Sequence, residues 1–368
     1  MQAPLASFAP ERPVSTTPFT NHQVRLAARP VGLPTAHDWQ FGSEPVTDPP
    51  EGGVLVKVLM LSLDPAMRGW MNEGRSYIRP VEIGEVMRAG GIGRVVASRS
   101  AAFASGDLVA GTFGVQEYWS VAGAQLPQSG LHKIDPRLGS ASQWLNVLGM
   151  PGMTAYFGLL EVGQPKAGDT VVVSGAAGAV GQTVGQLAKI KGCRAVGIAG
   201  GPAKCEWVVK ELGFDACIDY KAAAPAGAQR WDAVREGLKA HCPNGVDVYF
   251  DNVGGDILDA VLARLARKAR IVICGAISQY NNSGGSPVGP KNYMSLLIHR
   301  ARMEGMVVFD YAERFPQAVA ELAGYLKNGR IKSKEDIVRG GVQAFPATLL
   351  KLFSGENFGK LVLQVADD

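Results

Sequence analysis

Gly175, Gly178 and Gly181 recur at every third position within Thr170-Val-Val-Val-Ser-Gly-Ala-Ala-Gly-Ala-Val-Gly181. Glycine at that spacing lets a backbone turn tightly, approach a pyrophosphate closely, and pack helix against strand with no Cβ between them. In a chain with 46 glycines the spacing alone carries little. Its setting carries more: a β-branched apolar run ends at Ser174, and a helix opens after the turn, from Gln182 to Lys191. A helix N-terminus there offers free N–H groups and the positive end of its dipole to phosphate oxygens.

The next apolar strand, within Cys193-Arg-Ala-Val-Gly-Ile-Ala-Gly-Gly201, ends where an NAD-binding fold places an Asp or Glu on the ribose 2′-hydroxyl, about 20 residues past the glycine turn. Gly200 and Gly201 stand there instead, followed by Pro202, Ala203 and Lys204. A carboxylate would repel a 2′-phosphate, whereas a gap with a lysine beyond it accepts one. The competing reading makes Lys204 an ordinary solvated lysine in a first helical turn. The missing acid selects NADP.

Around these residues the chain divides into regions. From about Gln23 to Glu161 short strands are punctuated by Gly and Pro: 53–61, 91–97 and 107–113, a mainly β unit expected to form a partly open barrel. From about Gln164 to Arg330 strands alternate with helices, with candidate strands at 171–174, 195–199, 216–219, 246–252, 270–275 and 303–309. That rhythm predicts a doubly wound parallel sheet. The tail returns to strand at 337–339, helix at 345–354 and strand at 360–365, and is expected to fold back onto the first region. The expected division is therefore 22–163 with 331–368 as the barrel domain and 164–330 as the nucleotide domain. Residues 1–21, rich in Pro, Ser and Thr and without an apolar h-region, read as a flexible extension rather than a signal peptide.

With 46% hydrophobic and 19% charged residues the chain is not of disordered composition, and a net charge of +4 with scattered basic residues gives no nucleic-acid footprint. The densest basic run, Arg264–Arg270, is expected at a helix C-terminus, where cations complement the dipole. The five cysteines form no C-x-x-C pair, which argues against disulfides and structural zinc and suits a reducing cytoplasm. Before Gln164 there is no cysteine, and His22, His37 and His132 have no ligand-like spacing, so no metal is expected in the first region. No apolar run approaches the roughly 18 residues of a membrane span.

Several motifs occur together in order: Leu63-Asp-Pro-Ala-Met-Arg-Gly69, Gly149-Met-Pro-Gly-Met-Thr-Ala-Tyr156, Ser174–Gly181, Phe250-Asp-Asn-Val-Gly-Gly255, Cys274-Gly-Ala-Ile-Ser-Gln-Tyr-Asn281 and Gly355-Glu-Asn-Phe-Gly-Lys360. From about His22 to the C-terminus the chain resembles the zinc-independent medium-chain dehydrogenase/reductases of the leukotriene B4 12-hydroxydehydrogenase/15-oxo-prostaglandin 13-reductase type. Within that family it resembles bacterial curcumin reductases and plant alkenal double-bond reductases most. The resemblance implies α/β architecture, with a GroES-like domain interrupted by a Rossmann domain and NADP(H) in the cleft between them. It also implies reduction of a C=C bond conjugated to a carbonyl in a small enal or enone, and a homodimer paired through the Rossmann domains.

That reaction adds hydride to the β-carbon, so negative charge develops on the carbonyl oxygen. A donor aimed at that oxygen lowers the barrier by about 3 kcal/mol, and a proton must then reach the α-carbon. Tyrosine suits both tasks, being neutral near pH 7. By resemblance Tyr280 meets the nicotinamide ribose and assists proton delivery, or merely walls the pocket. Tyr77 is the second candidate catalytic residue, with a lid role as the alternative. Relatives commonly carry Tyr where this chain has Ala66, which bears on the substrate more than on the reaction.

For the cofactor, the resemblance implies pyrophosphate contacts from the N–H groups of Gly178, Ala179, Val180 and Gly181, and 2′-phosphate contacts from Lys204 and Tyr220. Asn252 would touch the cofactor or serve a turn. Cys274, Gly275, Ala276, Ile277, Ser278 and Tyr280 would flank the nicotinamide together with Met306, Val307 and Val308, and Asn357 would close the site from the tail. Cys274 is read as inert rather than as a redox nucleophile. Arg68 would either bind an anion or bond nearby carbonyls. Two other functions fit the scaffold: an NADPH quinone reductase, and a crystallin-like NADPH binder with little turnover.

Overall fold

The computed structural model describes residues 19–74, 76–222, 231–282 and 288–368. Two sheets organise it. The first contains six parallel strands in the order Ala216–Asp219, Arg194–Ala199, Thr170–Ser174, Val246–Asp251, Leu265–Ile273, Arg302–Gly305. Strand order reverses between Thr170–Ser174 and Val246–Asp251, so these two lie side by side although separated by two βα units. This is the doubly wound arrangement, which opens a crevice at the carboxyl ends of those two strands.

Thr170–Ser174 is buried throughout, as a central parallel strand covered on both faces must be. Successive side chains feed opposite cores. Val171 and Val173 pack under the helices Ala179–Ile190 and Phe315–Lys327, while Val172 joins the core beneath Asp232–His241 and Gly255–Leu262.

The second sheet is largely antiparallel and draws on both ends of the chain. Its order is Glu335–Arg339, Lys360–Gln364, Val54–Ser62, Gly90–Ser98, Leu108–Thr112, His132–Lys133, with Tyr118–Val121 also on Val54–Ser62. Lys360–Gln364 pairs antiparallel with Val54–Ser62 and parallel with Glu335–Arg339, so the tail does return to the first region. A hairpin of Thr20–Leu26 with Trp39–Pro45 packs against this sheet, and Val24, Val56, Leu61, Met67, Phe113, Phe345 and Leu361 share its core. The molecule is a two-domain α/β protein: a GroES-like partly open barrel joined to a Rossmann sheet.

Several expectations need correction. Thr20 and Asn21 already pair with Pro45 and Glu44, so strand begins inside the segment read as an extension, whose residues 1–18 lie outside the described residues. The basic run begins just past a helix end, Arg264 following the C-cap Ala263 of Gly255–Leu262, but most of it lies in a strand that opens at Leu265 rather than Arg270 and is irregular where Lys268 takes φ +63°. Two of its charges are bound, Arg264 on the Cys242 and Pro243 carbonyls and Arg270 on the Gly163 carbonyl and Asp169. The last parallel strand ends at Gly305, because the chain turns into the helical segment Val308–Arg314. The helix after the glycine turn begins at Ala179 rather than Gln182. Among the described residues no helix is long and apolar enough to cross a membrane.

Candidate active site

The crevice begins at the glycine turn. Gly175 leaves the central strand at φ +62°, and its carbonyl accepts the Gly178 N–H at 2.9 Å. A Cβ on residue 181 would stand 2.2 Å from the Gly175 carbonyl oxygen, so the first helical turn can seat against the strand end only with glycine there. The first intrahelical bond runs from Gln182 N–H to the Gly178 carbonyl, which leaves the N–H groups of Ala179, Val180 and Gly181 ahead of it. No acidic residue occupies this first turn.

The neighbouring strand ends at Ala199, and Gly200 follows where the acid is missing. The Tyr220 hydroxyl stands 2.9 Å from the position of a Cβ on residue 200, so that gap admits the tyrosine ring. Asp219 fixes both flanks: its Oδ1 accepts the Gly201 N–H at 2.7 Å and the Lys221 N–H at 2.8 Å. The Lys204 ammonium donates to the Gly355 carbonyl of the returning tail at 2.7 Å. Burial and then the neighbouring Lys221 charge hold the Lys204 pKa below the usual lysine value. Lys204, Tyr220 and Lys221 thus form a cationic and phenolic corner that fits a phosphate; no acid stands at Gly200, and the nearby Asp219 carboxylate is engaged by the Gly201 and Lys221 N–H groups.

At the strand reversal the central acceptor is Asp251, which the sequence reading passed over in favour of Asn252. It is fully buried. Its Oδ1 accepts the Tyr249 hydroxyl at 2.8 Å, the Ser174 hydroxyl at 3.0 Å, and the N–H groups of Val253 at 3.0 Å and Gly254 at 2.9 Å. Its backbone carbonyl accepts from Cys274 N–H and Gly275 N–H. One residue therefore ties together the loops after the first, fourth and fifth Rossmann strands. Burial raises its carboxyl pKa, and the Gly254 and Val253 N–H groups oppose that rise. An acid closing an apolar strand just before a glycine pair was the available signal. Asn252 is committed to the same junction, its side-chain N–H on the Ser174 carbonyl at 2.8 Å.

The loop after the fifth strand carries Tyr280. Its hydroxyl accepts the Ala276 N–H at 3.0 Å, leaving the phenolic proton free for another acceptor. Burial raises its pKa, and Tyr77, on the barrel side, is near enough to add to the rise. Tyr77 itself is 60% exposed. Burial pushes the Cys274 thiol up to about 12, consistent with an inert cysteine. Ser278 turns its hydroxyl to the Val253 carbonyl at 2.6 Å. Met306 and Val308 are core side chains, and of that trio only Val307 is half-buried.

The tail closes the arrangement from the barrel side. Gly359 bridges to Gly178, its N–H on the Ala177 carbonyl at 3.0 Å, and the Asn357 amide N–H turns onto the Gly359 carbonyl at 3.1 Å. Lys360 is buried, with its ammonium on Asp64 Oδ1 at 2.6 Å and the Leu63 carbonyl at 2.8 Å. Arg68 is also buried and bonds the Gly32 and Pro30 carbonyls and Asn72, so it braces the loop rather than offering an anion site. Ala66 opens the short helix Ala66–Trp70. Among the described residues no group of three or more His, Cys, Asp or Glu is placed to hold a metal ion.

Comparison with known proteins agrees with this architecture. Residues 22–129 match the family described as the N-terminal domain of oxidoreductase, and residues 179–324 match that described as zinc-binding dehydrogenase. The chain is 42% identical to the NADPH-dependent curcumin reductase of Escherichia coli, over 95% of this chain and 98% of that protein. It is 40% identical to the 2-alkenal reductase (NADP(+)-dependent) of Nicotiana tabacum, over 94% and 98%. The crystal structure of CurA in complex with NADPH from Vibrio vulnificus superimposes with a TM-score of 0.85 at 42% identity, covering 94% of this chain and 100% of that one. On these grounds the chain belongs to the zinc-independent medium-chain dehydrogenase/reductase family.

Proposed function

We propose that the protein is an NADPH-dependent reductase of the C=C bond conjugated to the carbonyl of small enals and enones. The observation that carries this is Tyr280: a neutral hydroxyl at the carboxyl end of the Rossmann sheet, oriented by the Ala276 N–H and keeping its own proton to give. NADPH, when bound, supplies the hydride. The free N–H groups of Ala179, Val180 and Gly181 receive the pyrophosphate, and Lys204 and Tyr220 receive the 2′-phosphate in the corner left by Gly200. Tyr280 donates to the carbonyl oxygen as charge builds there, and it or a water it orients delivers the proton to the α-carbon. Tyr77 covers the substrate from the barrel side. Asn252, Cys274–Ser278, Val307 and Asn357 line or brace the nicotinamide end, with Met306 and Val308 supporting from the core.

The domain division 22–163 with 331–368 against 164–330 follows the two sheets. A homodimer fits as well: Tyr293, Met294, Leu297 and Ile298 are 48–70% exposed beside Arg302–Gly305, the edge strand of the parallel sheet. NADPH dependence and five cysteines suit the cytoplasm.

The test is the loss of NADPH absorbance against 2-alkenals, aryl enones and quinones, with NADH in parallel. Turnover of enals and enones with preference for NADPH is expected. Tight NADPH binding with no enone turnover would sink the reductase reading, and a clear preference for quinones would replace it.

A further inference from the structure

Cys205 and Cys217 are twelve residues apart in sequence, on the helix Pro202–Lys210 and the strand Ala216–Asp219, and their sulfurs lie 2.9 Å apart. Both are partly exposed. Nothing in the proposed reduction uses them. Their neighbours do take part: Cys205 follows Lys204, and Cys217 lies two residues before Asp219, which precedes Tyr220 and accepts the Gly201 and Lys221 N–H groups.

We propose that Cys205 and Cys217 are a redox-modification site for peroxides, and that the disulfide they form weakens the hold on the 2′-phosphate of NADPH. The consequence for NADPH rests on the reading of Lys204 and Tyr220 given above; the site itself does not. The Cys205 thiolate attacks one peroxide oxygen, the O–O bond breaks, and water leaves after protonation. The Cys217 thiol then attacks the resulting sulfenic sulfur, the S–O bond breaks, and a second water departs. Two thiols and one hydrogen peroxide give one disulfide and two waters. Cys205 is the attacking sulfur, because it stands near the N-terminal end of the helix Pro202–Lys210, whose dipole favours a thiolate, with the Cys217 thiol within hydrogen-bond reach. Closing the sulfurs to about 2.05 Å draws the first turn of the helix toward the strand and carries Lys204 with it.

The test uses the full-length protein, treated with hydrogen peroxide, alkylated and digested without reduction. Trypsin cuts after Lys204, Lys210 and Lys221, so the disulfide joins peptides 205–210 and 211–221. That linked pair is expected, together with a KM for NADPH raised about tenfold, the size of one charge-assisted contact. The kcat at saturating NADPH should hold, and dithiothreitol should reverse both changes. The Cys205→Ser/Cys217→Ser double variant should keep its KM through the same treatment. Absence of the linked peptides overturns the site, and an equal response of the double variant overturns its role in the KM change. Linked peptides with an unchanged KM overturn the switch, provided that Lys204→Ala in the reduced protein raises KM. If Lys204→Ala leaves KM unchanged, the 2′-phosphate reading fails instead.

Discussion

The Ala276 N–H that Tyr280 accepts fixes the phenol without consuming its proton, and burial keeps that proton on. Because the group works in its protonated form and burial raises its pKa above the ordinary tyrosine value, kcat should hold through neutral and mildly alkaline pH and fall only as pH rises through that raised pKa. A pH profile of kcat at saturating substrate checks this, and an alkaline limb well below pH 10 would belong to another group. Tyr280→Phe keeps the ring and removes the donor; kcat is expected to drop about 100-fold with KM for NADPH nearly unchanged. Lys204→Ala should raise KM for NADPH about 10- to 100-fold and leave KM for NADH almost untouched, measured as paired steady-state titrations. A parallel rise for both cofactors would mean that Lys204 acts through the Gly355 carbonyl and not through the phosphate.

Between elements, a buried tie joins the Lys360 ammonium to Asp64 and pins the last strand to the loop opening the helix Ala66–Trp70. Removing one partner strands a buried charge. Asp64→Asn is expected to cost about 3 kcal/mol in urea unfolding, and adding Lys360→Met should recover most of it. Asp64 was legible only as part of a motif, and its partner lies 296 residues away, a separation at which no spacing rule operates. The glycine turn, the missing acid and the βαβ rhythm were legible because each is a local rule. The strand at 303–309 was overextended because an apolar run reads alike whether it continues a strand or dives into the core, as Met306 and Val308 do. The Asp251 hub was missed for a related reason: its partners come from three separate loops.

At the scale of the whole molecule, the exposed row Tyr293, Met294, Leu297 and Ile298 runs beside an edge strand. Light scattering is expected to give twice the mass of one chain, and Leu297→Asp with Ile298→Asp to give the mass of one chain. If the wild type already has the mass of one chain, the homodimer is wrong. The two sheets differ in how they are threaded. The parallel sheet uses one continuous stretch, 170–305, whereas the barrel sheet needs Val54–Ser62 beside Lys360–Gln364. During synthesis the middle of the chain can therefore settle while the barrel still lacks its last strand. Gly359, which bridges to the glycine turn, and Gly355, which accepts from Lys204, likewise follow the whole parallel sheet in the chain. The cofactor cleft therefore closes later than the sheet that forms its floor, and until Lys360–Gln364 is made the edge of Val54–Ser62 that it covers stays open to mispairing.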